Sequence, residues 1–287
     1  MIKASQVKEL RERTGAGMME CKRALEASQG DIEAAITAMR KAGQAKAAKK
    51  AGRIAAEGVI AIKVSPDRKQ AIMVEVNCET DFVARDNNFL EFVNIVVTDS
   101  LAATVTKLDD LLTLKTITQL RAELVAKIGE NIDIRRLQWY ETNGIIGSYV
   151  HSNKRIGVLV ELAQATPELA KDISMHIAAS KPLVVLPEEV PQELLAQEEE
   201  IYLAQVQATG KPPEILKKMV AGRMQKFIAE MTLVQQPFVK NADLTVGALL
   251  QQAKTEVRRF VRFAVGEGVA KKSVDFAAEV KAQVAKR

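Results

Sequence analysis

Hydrophobic positions change period several times along this chain, and each change marks an element. Val7 and Leu10 follow Ser5, a good helix cap, and the Thr14-Gly15-Ala16-Gly17 turn ends that helix. A second helix is expected from about Met18 to Ala27, with Cys21, Ala24 and Leu25 at helical spacing and Gly30 just past its end. Asp31 caps a third, whose Ile32, Ala35, Ile36 and Met39 fall at i, i+3, i+4 and i+7. Residues 1–44 therefore read as a three-helix bundle. Its candidate recognition face is the glycine loop and the start of helix two, with Met18, Met19 and Lys22, at least one methionine serving as core filler.

Beyond a basic stretch at residues 45–54 the period shortens to that of strands, and an internal repeat emerges. Shifted by 86 residues, Gly58-Val59-Ile60 falls on Gly144-Ile145-Ile146, Val64 on Val150, and Val74-Glu75-Val76 on Val160-Glu161-Leu162. Each copy reads as strand, polar turn, strand, then helix, with turns at Ser65-Pro66-Asp67-Arg68 and His151-Ser152-Asn153-Lys154. Helices are expected around Phe89 to Val97 and Glu168 to Ala179, and the segment between the copies supplies a helix from Ile117 to Ile128 and a strand near Ile134 to Tyr140. The fold class is α+β, a duplicated hairpin-plus-helix core with antiparallel sheets, divided into residues 55–140 and 141–265.

Prolines 182, 187 and 191 mark a connection into a further helical pair at about 188–232. Leu194, Ile201 and Ala208 are spaced by seven and flanked by Leu195 and Tyr202, Gly210-Lys211-Pro212-Pro213 turns the chain, and Leu216, Val220, Phe227 and Met231 line the return. This inserted antiparallel hairpin is either a rigid spacer or an arm for dimerisation or partner contact. A capped helix around Thr245 to Ala253 and a strand over Val257 to Val265 bring the chain back to the core. Residues 266–287 form a C-terminal module whose helix, from Lys271, carries Val274, Ala277, Ala278 and Val284 on one face.

The most informative stretch is Val74 to Arg85. It starts as a strand, turns polar from Asn77 to Asp81, and then presents Phe82. An acidic residue beside a phenyl ring at a strand end suits a probe into another protein. The alternative is that Phe82 tucks under the helix that follows.

Composition removes most catalytic readings. Two histidines, His151 and His176, and two cysteines, Cys21 and Cys78, lack metal-ligand spacing, and no phosphate loop, dinucleotide turn or nucleophile elbow occurs. Reduced cysteines, a polar N-terminus and the absence of any long apolar run point to a cytoplasmic protein. Lys+Arg 41 against Asp+Glu 36 leaves +5, and aromatics are only 4%. The densest basic run, Lys46 to Arg53, reads as a solvated helical linker. A basic RNA-binding scaffold is the alternative, and it requires strongly salt-dependent RNA binding. A hydrolase built on His151 would lose turnover on its substitution, but the nucleophile constellation is missing.

Leu10 to Lys22, Leu-Arg-Glu-Arg-Thr-Gly-Ala-Gly-Met-Met-Glu-Cys-Lys, resembles the N-terminal signature of the bacterial elongation factor Ts family, and Glu75 through Arg85 resembles its second signature. The resemblance covers essentially the full chain, including the order of its parts, and makes the N-terminal bundle ubiquitin-associated-like. It implies a translation elongation factor that promotes exchange of GDP for GTP on elongation factor Tu, with no cofactor, metal, nucleic acid or membrane of its own. It also implies roles residue by residue. Thr80, Asp81, Phe82 and Val83 match the stretch associated with displacing Mg2+ from the partner; Ile128, Gly129, His151, Lys22 and Val239 match other partner contacts. Lys240 departs from the pattern, standing where some members place a second apolar side chain.

Overall fold

A computed structural model describes residues 2–207 and 212–269, so the expected C-terminal helix and the middle of the hairpin turn lie outside the described residues. Three helices open the chain: α1 (Ala4–Thr14), α2 (Met18–Ala27) and α3 (Ile32–Lys50). Leu10, Cys21, Leu25 and Ala35 are their fully buried centre. Lys3, not Ser5, occupies the first cap, where Gln6 reaches back to the Lys3 N–H at 3.0 Å. Gly15 takes the left-handed conformation (φ 63°) that closes α1, and Asp31 caps α3 by accepting from the Ala34 N–H at 3.0 Å. The basic run continues α3 as helix as far as Lys50. Gly43 is buried where α3 crosses a later helix, with room for no more than a methyl group, since a Cβ there would already be in ordinary contact with Ala126 Cβ at 3.4 Å.

The core is two three-stranded antiparallel sheets. The first orders β1 (Glu57–Val64), β2 (Gln70–Cys78) and β3 (Ile132–Glu141); the second orders β4 (Ile145–Val150), β5 (Ile156–Leu162) and β8 (Val257–Ala264). Between β2 and β3 run α4 (Asp81–Ala84), α5 (Asn87–Ala102), α6 (Leu108–Thr113) and α7 (Lys115–Ile128); α6 has too short an apolar pattern to be seen in sequence. After β5 come α8 (Pro167–Ser180), the hairpin helices α9 (Gln192–Gln207) and α10 (Pro213–Met231), the short ladder β6 (Pro237–Phe238) with β7 (Asn241–Thr245), and α11 (Val246–Gln252). Helices cover the outer face of each sheet, and the inner faces meet through Ile60, Ala71, Met73, Tyr140, Ile146, Leu159 and Phe263. The layers are helix, sheet, sheet, helix.

The 86-residue repeat is a near two-fold arrangement in space. Ile60 N–H donates to the Lys154 carbonyl at 2.8 Å, and its counterpart Ile146 N–H donates to the Arg68 carbonyl at 3.0 Å. Glu75 and Glu161 are both buried, and each faces two arginines of the neighbouring strand: Arg135 and Arg136 at 3.0 and 2.5 Å, Arg258 and Arg259 at 3.3 and 2.6 Å. Each pair then reaches across to the other sheet. Arg136 stacks 4.0 Å over Phe263, and Arg259 stacks 4.2 Å over Tyr140. Gly58 and Gly144 are equivalent too: a Cβ at either would approach a strand carbonyl to 2.2 or 2.0 Å.

The hairpin seam keeps the expected Tyr202 and Val220 but not Ile201. Tyr202 and Val206 turn inward toward α10, where Val220 is buried, while Ile201, with a relative exposure of 48%, faces out. Arg223 of α10 reaches Gln205 at 2.7 Å.

A candidate partner-binding site around Phe82

Strand β2 runs buried to Cys78, whose thiol donates to the Thr80 carbonyl at 3.1 Å. Burial pushes that thiol's pKa up to about 12, helped by the Glu130 charge, so it stays protonated at neutral pH. Thr80 then caps α4: its hydroxyl accepts from the Val83 N–H at 3.4 Å and donates to Glu130 Oε1 at 2.7 Å. A single helical turn separates the four residues by environment. Val83 and Ala84, each 8% exposed, join the first sheet's core, whereas Phe82 is 82% exposed. Asp81 pairs with Arg85 one turn on, at 2.9 Å. Asp86 stops the turn and caps α5, its carboxyl held below the usual range by the Asn88 side chain and, despite some desolvation, by the backbone N–H groups of Phe89 and Asn88.

Two segments distant in sequence approach this turn. Ile128 ends α7, and Gly129 takes the left-handed conformation (φ 88°) with its carbonyl bound by the Lys50 ammonium. Glu130, immediately after, bonds Thr80, which sets the Ile128–Gly129 turn beside α4. His151 is exposed at the β4–β5 turn, 3.2 Å from the Tyr149 hydroxyl. Asp81 and Arg85 line a groove shared with Ser152, Asn153 and Lys154 of that same turn. Glu130 thus ties the Ile128–Gly129 turn to Thr80, and the groove brings the turn that follows His151 up to Asp81 and Arg85.

Two positions stand apart. Lys22 is exposed on α2 and pairs with Glu26 at 3.8 Å. Met18 and Met19 beside it are 59% and 63% exposed, so neither fills the bundle core; they border a groove with Ile2, Val7 and Lys8. Val239, 45% exposed, follows β6, and its N–H donates to Nδ1 of the buried His176 at 3.3 Å. The His176 Nε2 therefore carries the proton and donates to Gln236 Oε1 at 2.9 Å. Burial holds the His176 pKa below its ordinary value, against the Gln236 hydrogen bond. Lys240 turns away to Asp172, at 2.5 Å. Sequence reasoning missed Glu79, Glu130 and His176, which hold these segments. Their traces were Glu79's place within the Glu75–Arg85 signature and Glu130's place just past a helix-ending glycine.

Among the described residues no group of three or more His, Cys, Asp or Glu could hold a metal, and no helix is long and apolar enough to cross a membrane. Among the described residues the α+β scaffold displays Phe82 as its one largely exposed aromatic, on a turn anchored in the core, the anatomy of a protein-binding module. The family model described as Elongation factor TS matches residues 79–267. Proteins named Elongation factor Ts from Thioalkalivibrio sulfidiphilus and Methylococcus capsulatus are 56% and 55% identical, over 98% and 99% of this chain and 98% of each relative. One from Legionella pneumophila is 53% identical over 99% of this chain and 98% of its own length. The chain belongs to the elongation factor Ts family.

Proposed function

We infer that this chain binds elongation factor Tu in its GDP-bound form and speeds GDP release, so that GTP can replace it, and that it does so by displacing Mg2+ and disturbing the phosphate site. The observation that carries the reading is Phe82: an 82% exposed ring on a turn whose next two residues are core. On this reading Asp81 accompanies the ring, Thr80 and Val83 fix its turn, and Ile128, Gly129 and His151 are further contacts on the partner. Lys22 of the bundle and Val239 behind His176 extend the contact at its ends.

Exchange needs no chemistry from this chain. A factor and a nucleotide that weaken each other's binding do so reciprocally. Speeding release about ten-thousand-fold lowers its barrier by roughly 5.5 kcal/mol. Burying one phenyl ring supplies only about 1.5–3 kcal/mol, so Phe82 does not act alone. Loss of the Mg2+–phosphate contacts supplies the remainder, since the ion is the largest local charge at a phosphate site. The surrounding turns hold the ring in place while this happens.

The test mixes the protein with elongation factor Tu loaded with labelled GDP and follows release. Strong acceleration by the wild type, and its loss in Phe82→Ala, is the expected result. Unaccelerated release by the folded wild type refutes the reading.

A further inference from the structure

The turn that carries Phe82 is held by two interlocked carboxylates from separate stretches of the chain. Glu130 Oε2 accepts from the backbone N–H of Glu79 and of Thr80, both at 3.0 Å, and its Oε1 accepts from the Thr80 hydroxyl at 2.7 Å. In return, Glu79 Oε1 accepts from the Asn131 N–H at 2.6 Å, with Arg53 Nη1 3.4 Å from the same oxygen. Asn131 Nδ2 closes the corner by donating to the Arg53 carbonyl at 2.9 Å. Hydrogen bonds to ionised carboxylates are among the stronger ones, and here they run in both directions between the same two segments.

The other half of the molecule shows that the fold does not require this device. With the 86-residue shift, Ala165-Thr166 stands where Glu79-Thr80 stands, and Glu168 replaces Phe82. There the strand end is held by a neutral side chain. Gln164 N–H donates to Thr255 Oγ1 at 3.3 Å, and Gln164 Nε2 donates to the Lys254 carbonyl at 3.0 Å. Thr166 caps the long helix α8 directly, with no short turn before it. The carboxylates belong to the half that exposes a phenyl ring.

We propose that Glu130 and Glu79 are positioning residues for nucleotide exchange: their interlocked carboxylates lock the Phe82 turn and the Ile128–Gly129 turn into one unit that meets the partner in fixed register. The proposal rests on the exchange reading above. A four-residue helix cannot hold its own shape, because a single turn fixes several dihedrals for one or two hydrogen bonds. Without Glu130, the start of α4 keeps the Cys78 thiol on the Thr80 carbonyl at 3.1 Å, the Thr80 cap bond at 3.4 Å and the exposed Asp81–Arg85 pair at 2.9 Å, and none of these ties it to the Ile128–Gly129 turn. The ring would still be present but no longer aimed, and a misaimed group loses rate rather than affinity.

The experiment measures stimulated release of labelled GDP from elongation factor Tu over a range of concentrations of the full chain. It compares wild type, Phe82→Ala, Glu130→Ala and the double variant, with melting temperatures alongside. Glu130→Ala is expected to lower the maximal release rate about tenfold while moving the half-saturating concentration by less than about threefold. In the Phe82→Ala background the same change should cost almost nothing more, since there is no ring left to aim. Glu130→Gln, which keeps an acceptor for the Thr80 hydroxyl, should recover part of the rate. Glu79→Ala removes only the return bond; it should lower the maximal rate about threefold, and it carries the test if Glu130→Ala melts. Failure of the wild type to accelerate release would remove the exchange reading itself. An active wild type and an impaired Phe82→Ala, together with wild-type rates for the glutamate variants or an undiminished loss in the double variant, would overturn the positioning role alone.

Discussion

Phe82 and Val83 are adjacent in sequence and opposite in environment, which makes them a paired test at the scale of single residues. Phe82→Ala removes a ring that is 82% exposed, so it should change stability by less than about 0.5 kcal/mol. On the proposed function, stimulated GDP release should nevertheless fall at least about tenfold. Val83→Ala removes methyl groups from the core and should cost roughly 1–3 kcal/mol, visible as a lower melting temperature. Release stimulated by Phe82→Ala at the wild-type rate would retire the reading of Phe82 as a probe into the partner. His176 supplies a pH test. Its folded pKa lies below the ordinary value of 6.5, so the unfolded chain binds more protons as the solution acidifies. Its contribution is complete above about pH 6.5 and drains away as pH falls from there through the lower folded pKa. Melting temperature measured from pH 7.5 downward should therefore fall through this window, and His176→Gln should flatten that part of the curve.

At the scale of elements, the two buried glutamates sit in equivalent places with unequal shielding. Glu75 is fully buried with arginines 25% and 28% exposed, whereas the arginines of Glu161 are 46% and 50% exposed. Glu75→Ala takes the buried carboxylate from the less hydrated cations, leaving Arg136 only the exposed Glu267 at 3.4 Å as an ionic partner, and should cost about 3 kcal/mol by denaturant unfolding. Glu161→Ala should cost less, about 1 kcal/mol, because water screens Arg258 and Arg259. Equal losses would mean that the partial symmetry of the clasp outweighs its solvation. Another element-scale contact is the crossing of α3 over α7 at Gly43, where a Cβ meets only ordinary contacts of 3.4 and 3.5 Å. Gly43→Ala should be tolerated. Gly43→Leu should pry the N-terminal helices off α7, read as faster proteolysis after the bundle with a core that still melts cooperatively.

For the whole molecule, the division into residues 1–44, a linker, two core halves and a terminal module remains a proposal about independent parts. Its motive is the bundle's own closed core of Leu10, Cys21, Leu25 and Ala35, even though α3 runs unbroken through position 44. Deleting residues 1–44 should weaken binding to elongation factor Tu while some stimulated release survives at saturating concentration. A folded truncation with no stimulation at all would sink the proposal.

Local pattern was enough for what depends on near neighbours. Helical spacing after Asp31, the strand alternation at Val74 and Val76, and the repeat of Gly58 at Gly144 set the elements and the duplication, because period and cap chemistry act over a few residues. The family followed from two short signatures. The tertiary structure decided everything that depends on faces meeting. Phe82 faces water and Val83 the core because one turn of α4 rotates them apart on a buried base. Met18 and Met19 lie outside a bundle that four other side chains already fill. The seam of α9 runs through Tyr202 and Val206 rather than Ile201, since the packing of α10 selects the stripe. Glu79 meets Glu130, and Glu75 meets Arg135 and Arg136, across gaps of more than fifty residues. Such pairs leave no periodic trace, because nothing local constrains which distant residue a buried carboxylate will face.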